Sequence, residues 1–362
     1  MSTYIDWRTP SSSPIEYTFP HPDRDAFITT ADPQCDSLFF SLPPEIRKLI
    51  YVEFWRVSGL RQHIVSINPK DPVLPRTQPI PYDSEPHPRD SDMHFEGYIP
   101  PRVWAHVPCV TDPGKQDERY TKFTEAANGT QAKKVWASRL RSEWCGHWAC
   151  EEPLAAQLLL PSATFLPVLL TSKRMYLESL PSLYSSLTFL FTDLPLTADF
   201  LTRYTPTLPL RSLELHIRAT PLLTELYYPY SPAGPDPVSA GGHITMAHNP
   251  WARVCALLAQ QPPPGTTTLH SLRIWFDTRD LRPWHKRVSE TRLFAGLLGV
   301  RVLRKPRFLL ELPELPVETR TASEGLEANH FFAGDAVLDG APFTVVRGPR
   351  PNNWRVHFAG RG

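Results

Sequence analysis

Long apolar runs are missing from this chain. Its richest stretch, Leu158 to Leu170, is broken by Pro161 and Pro167, well short of the ~20 apolar residues a membrane-crossing helix needs. Cysteine is scarce: there are five, Cys35, Cys109, Cys145, Cys150 and Cys255. An odd, sparse set, with a polar Met1 to Pro10 in place of an apolar leader, points to a reducing compartment and against a disulfide framework. The expected location is intracellular, cytoplasmic or nuclear. Asn128-Gly129-Thr130 has the form of a glycosylation sequon and, without secretion, is read as a chance tripeptide. An excess of one charge is also lacking: 38 Lys and Arg oppose 37 Asp and Glu. That balance removes the usual argument for nucleic acid or an anionic membrane as an obligatory partner.

Chemistry-bearing motifs are missing too. There is no phosphate-cradling glycine loop, no Gly-x-Ser-x-Gly elbow and no His-Glu-x-x-His pair. His94-Phe95-Glu96 lacks the Pro-Cys-x-x-Cys that completes a zinc deaminase site. Asp90-Ser91-Asp92 reads as a solvated charge cluster in a proline-rich loop. With no catalytic set to assemble, the chain is read as non-enzymatic.

Proline is what the chain has in plenty, with 41 in 362 residues, about 11% against a usual ~5%. Proline fits poorly inside helices and central strands, so many breaks and short elements are expected. Residues 1–36 read as a disordered tail. Residues 69–164 read as a proline-rich insertion, irregular over 69–113, with a Trp- and Lys/Arg-rich helix from about Asp117 to Trp148. In that helix Trp136, Trp144 and Trp148 share a face flanked by Lys133, Lys134, Arg139 and Arg141. A buried Trp edge with cations on the wet side accounts for them better than base stacking does. A second basic run, Arg301, Arg304, Lys305 and Arg307, follows a helix C-terminus, where cations are favoured anyway.

Two ordered segments flank the insertion, at 37–68 and 165–191. In the first, Ser41 can cap a helix opened by Pro43-Pro44. Leu42, Ile46, Leu49, Ile50, Phe54 and Val57 form an apolar stripe, and Gly59 is the stop. A strand is expected at His63 to Ile67. In the second, an amphipathic helix covers Leu166 to Leu180, Pro181 ends it or starts another turn, and Thr188 to Phe191 looks like a strand. Residues 192–362 alternate strands (Arg211–Ile217, Leu269–Phe276, Arg307–Leu312) with helices (Trp251–Gln260, Glu290–Gly299), which suggests parallel pairing with helical crossovers. Leu210–Ile217 can be laid over Leu269–Phe276, so a degenerate leucine-rich unit is one form the sheet could take. Phe343–Val346 and Trp354–Phe358 could form a terminal hairpin. The fold expected is thus mixed α/β: a helical part with a long insertion, packed on a partly parallel strand–helix sheet.

Leu42-Pro43-Pro44-Glu45-Ile46-Arg47, taken with the distant run from Leu169-Leu170-Thr171-Ser172-Lys173-Arg174-Met175-Tyr176-Leu177-Glu178 to Leu183-Tyr184-Ser185 and Phe189, resembles the F-box-like domains of many fungal proteins of unknown function. The long separation of the two segments departs from the ordinary pattern. The resemblance implies a protein-binding role: F-box helices dock on the Skp adaptor of cullin ubiquitin ligases while the rest of the chain captures a client. Leu42, Pro43, Ile46, Leu49 and Ile50 would then be the partner-binding residues. The alternatives are a globular domain that uses these helices only as core, and a nucleic-acid-binding or zinc-stapled module. No cofactor is required by these readings. Zinc is the ion the insertion would admit, since His106-x2-Cys109 and Cys145-x-His147-x2-Cys150 offer the four soft or borderline ligands of a tetrahedral site. The candidate set is His106, Cys109, Cys145 and Cys150.

Overall fold

The computed structural model describes residues 29–67, 103–111, 144, 147, 150, 165–204, 210–219, 223, 227, 249–260, 269–278, 284, 288–302, 307–315 and 341–348. Among them, one sheet contains seven strands: β1 (Arg61–Ile67), β2 (Val103–Pro108), β3 (Thr188–Phe191), β4 (Ser212–Ala219), β5 (Ser271–Thr278), β6 (Phe308–Pro313) and β7 (Thr344–Gly348). Their spatial order is β2-β1-β3-β4-β5-β6-β7. Only β2 runs antiparallel to its neighbour, and every other pairing is parallel. The helices are α1 (Leu38–Ser41), α2 (Pro44–Val57), α3 (Leu166–Thr171), α4 (Lys173–Ser186), α5 (Leu194–Tyr204), α6 (Pro250–Ala259) and α7 (Glu290–Leu293), followed by a 3₁₀ turn at Ala295–Gly299. No helix among the described residues is long and apolar enough to cross a membrane.

A parallel strand that is next in sequence and next in space must be reached by a crossover. Crossovers keep a right-handed sense, so a sheet that grows in one direction gathers its helices on one face. The contacts agree: α6 touches both α5 and the 3₁₀ turn. Alternation along each strand then sorts the residues. Leu213, Leu215 and Ile217 of β4, Leu272, Ile274 and Phe276 of β5, and Phe308, Leu310 and Leu312 of β6 join the main core with Phe200, Leu201, Trp251, Val254 and Phe294. The intervening positions face the other way and carry charge, as in the pairs Arg61–Glu214 and Arg273–Glu311, each with a contact of 2.5 Å. A second, smaller cluster of Val65, Ala105, Val107, Trp144 and Cys150 occupies that other face at the β2 end.

Local chemistry explains the element ends. Asn249 caps α6 by accepting from Trp251 N and Ala252 N, and it donates to the Tyr227 hydroxyl at 2.7 Å. Asp193 caps α5 through Leu196 N at 2.7 Å. The edge strand β7 is tied in by Arg347. Its guanidinium donates twice to the buried Glu290 carboxylate, at 2.9 and 2.7 Å, and Trp284 Nε1 donates to the same group at 2.7 Å. A buried carboxylate held by three N–H donors is fully satisfied.

Mixed α/β architecture is as expected, the sheet expected to be partly parallel is mostly so, and the two look-alike segments are direct register partners, Ser212 opposite Ser271 and Ile217 opposite Phe276. Other expectations are revised. Val103–Pro108 is a strand within a stretch read as irregular; its edge position tolerates the surrounding prolines. The helix expected over Leu166 to Leu180 is two helices. Ser172 is extended and its Oγ accepts from Met175 N at 3.1 Å, so it caps α4 and interrupts the run. Pro181 does not end α4, which continues to Ser186. Thr344–Gly348 pairs in parallel with β6; the Trp354–Phe358 half of the expected hairpin lies outside the described residues. So do residues 1–28 of the expected tail and the Asp117–Trp148 helix, apart from Trp144 and His147.

The 3₁₀ turn packs closely on α6. A Cβ at Gly296 would stand 2.7 Å from Cys255 Cβ, too near for either backbone to stay in place. Gly296→Ala is therefore expected to destabilise the chain by about 1–3 kcal/mol, the usual cost of overpacking. The readout is a lower denaturant midpoint with an unchanged slope.

Candidate functional site

Helix α2 has proline in its first turn, Glu45 at its positive end and Arg56 in its last turn. Gly59 beyond it has φ 89°, a conformation that suits glycine and turns the chain into β1. The inward face of α2 is formed by Arg47, Tyr51 and Trp55, spaced four apart, all buried. Each meets α4. Arg47 Nε donates to Glu178 at 2.6 Å and its Nη2 to the second carboxylate oxygen at 3.1 Å. Tyr51 Oη lies 3.0 Å from Met175 Sδ, and Trp55 Nε1 donates to Ser182 Oγ at 3.3 Å. Arg47 also donates to the Phe40 and Leu42 carbonyls, while the Arg174 guanidinium sits 4.1 Å from the Phe40 ring centre. The two segments carrying the F-box-like resemblance are thus one packed helical unit.

The stripe read from the sequence points the other way. Ile46, Leu49, Ile50, Phe54 and Val57 are exposed, Leu49 at 61% and Val57 at 91%. Pro43 is exposed as well, and Leu42 is half-buried. A helix usually buries its apolar stripe; α2 instead buries a guanidinium and two aromatic rings, and presents aliphatic side chains to solvent.

The second site lies on the opposite sheet face. His63 of β1, Cys109 just past β2, and His147 and Cys150 of the insertion bring four ligand atoms within 4.8 Å of one another. Such a cluster could hold a metal. Cys109 Sγ is 3.4 Å from His147 Nδ1, Cys150 Sγ is 3.9 Å from the same nitrogen, and the two sulfurs are 3.9 Å apart. The Val110 amide donates to Cys150 Sγ at 3.4 Å. His147 Nε2 lies 3.3 Å from His216 Nε2, and the Glu214 carboxylate lies 3.8 Å from that same His216 nitrogen.

The electrostatics suit ligation. Burial lowers the pKa values of His63 and His147 to about 4, so both imidazoles are neutral near pH 7. Cys109 and Cys150 titrate as a pair. The hydrogen bond between them favours one thiolate, seconded at Cys150 by His147 and His63; the same bond, with burial, pushes the remaining thiol up. Burial also opposes ionisation of Glu214, but the neighbouring His216 and the hydrogen-bonded Arg61 guanidinium prevail and lower it to about 2.

The metal candidates need correction. Cys109 and Cys150 are in the cluster; His106 is not. Alternation on β2 turns His106 to the helix side, where its ring contacts Phe165 at 5.7 Å and Phe189 at 6.2 Å. Cys145 lies outside the described residues. His147, noted between the two cysteines, takes one of the vacated places. His63 takes the other and was missed, because a lone histidine on a short strand has no spacing signature. Comparison with protein-family models, with curated proteins and with solved structures found no match.

Glu178→Ala would leave Arg47 with its carbonyl partners only. A hydrogen-bonded charge lost in this setting costs about 1.5–3 kcal/mol. Urea denaturation should show that loss, and Arg47→Met with Glu178→Leu together should recover part of it.

Proposed function

We propose that this chain is a non-enzymatic protein-binding protein, an F-box-type adaptor in which α2 engages the Skp adaptor of a cullin ubiquitin ligase and the sheet half takes a client. One observation carries the reading: aliphatic side chains line the solvent side of α2 while its buried side is anchored to α4 by Arg47, Tyr51 and Trp55. Scattered apolar residues on a surface need no explanation; a row along one rigid helix face marks a docking surface. Ile46, Leu49 and Ile50, with Pro43 and Leu42 at the stiffened first turn, present i, i+3, i+4 anchors for a groove. The reading in which these helices serve only as core is less well supported, because the stripe does not fill the core. A zinc-stapled binding module is compatible with the adaptor reading, since the His/Cys cluster lies on the far side of the sheet and leaves α2 free.

The test is capture on immobilised Skp adaptor. Wild-type chain should be retained, and Ile46→Asp should reduce retention at least tenfold. Because Ile46 is exposed, folding stability should change by no more than about 0.5 kcal/mol. Equal retention of both proteins, or no retention of folded wild type, would sink the adaptor reading.

A further inference from the structure

We propose that His63, Cys109, His147 and Cys150 bind one zinc ion in a closed, structural site that fastens the insertion to the back of the sheet. The geometry already has the proportions of such a site. Zn–S bonds of about 2.3 Å and Zn–N bonds of about 2.05 Å at tetrahedral angles place two sulfurs about 3.8 Å apart and a sulfur and a nitrogen about 3.6 Å apart. The sulfurs stand at 3.9 Å, and the sulfur–nitrogen edges to His147 Nδ1 are 3.4 and 3.9 Å. The fourth vertex is His63, 1% exposed, whose Nε2 is buried without a hydrogen-bond partner. Its ligand nitrogen stands within 4.8 Å of the other three ligand atoms, so an ion among them completes the set.

The surroundings fit a metal-bound thiolate pair. The Val110 amide points its N–H at Cys150 Sγ, 3.4 Å away, and Arg61 stands close enough for its charge to act on both sulfurs. With His147 bound through Nδ1, its Nε2–H donates to His216, beside the Glu214 carboxylate. This is the outer-shell arrangement that fixes the tautomer and orientation of a ligating histidine. Thiolate and imidazole select zinc over the hard cations magnesium and calcium. Four protein ligands leave no open position for water or substrate, so the ion's work is structural. It joins a residue of β1, Cys109 just past β2, and His147 and Cys150, in a region whose apolar cluster is small.

The experiment uses the full chain purified under reducing conditions without added metal. Elemental analysis should find about one zinc per chain. Cys150→Ser and His63→Gln should each bring that below about 0.2. His106→Gln, facing the other side, should leave it unchanged. Cobalt exchanged into the wild type should give the intense visible bands of a tetrahedral ion with thiolate-to-metal charge transfer. His216→Ala should keep the stoichiometry at saturating zinc but weaken affinity roughly 10–100-fold. If a ligand variant does not fold, the wild type still decides: a chelator should lower its melting temperature, and stoichiometric zinc should restore it. Substoichiometric metal, a different metal at one equivalent, zinc retained in both ligand variants, or an octahedral cobalt spectrum overturns the site. The outcome is independent of the adaptor reading, because Ile46→Asp should not change zinc content.

Discussion

A largely parallel sheet is stable with both faces covered, and among the described residues α5, α6 and the 3₁₀ turn pack together on one of them. Each strand from β3 onward is laid beside the one before it, in the same direction. Crossovers of one hand therefore return on the same side. Folds with helices on both faces avoid this by reversing strand order part-way; this chain does not. On the other face two devices stand out among the described residues. Charged pairs bridge the strands, Arg61–Glu214 reaching from β1 across β3 to β4 and Arg273–Glu311 joining the neighbours β5 and β6, and at the β2 end a small apolar cluster sits beside the His/Cys group. The candidate metal centre stands against that small apolar cluster, with Cys150 common to both.

The same economy governs α2. Ordinary amphipathic logic would turn Leu49 and Ile50 inward. What turns them outward is the fit of Arg47, Tyr51 and Trp55 to α4, where the guanidinium finds a bidentate carboxylate and two carbonyls. Desolvating an arginine is costly unless its donors are used, and here they are. Burying two aromatic rings alongside supplies the apolar area that the aliphatic stripe would otherwise provide. A helix so attached holds its solvent-facing side rigid, the property a docking surface needs.

Much of the fold was legible. The strands at Thr188–Phe191 and around Ser212, Ser271 and Phe308 are short apolar runs between turn signals, and such runs read clearly. The α2 element was legible as a helix, but its orientation was not. Periodicity marks which residues share a face without saying which face is buried, and the decisive contact, Arg47 with Glu178, spans 131 positions. β2 was obscured by flanking prolines. In the candidate metal centre, Cys109 and Cys150 were legible from ligand type. His106 misled because x2 spacing implies proximity only on a turn, whereas on a strand odd and even positions part company. His63 had no local signature, and only β1–β2 pairing brings it to Cys109.

The long reach between α2 and α4 bears on how the chain is made. At synthesis rates of ~5–20 residues per second, the 131-residue interval separating Arg47 from Glu178 lasts roughly 7–26 s. Throughout it, Trp55 and Tyr51 have no α4 to pack on, and the aliphatic side of the helix is bare as well. The nascent protein thus emerges from the ribosome with both sides of α2 sticky, while later strands find their partners soon after they appear. Once α4 emerges the wait ends, because α4 precedes β4 to β7 in the chain; until then α2 is the segment most in need of a chaperone's cover.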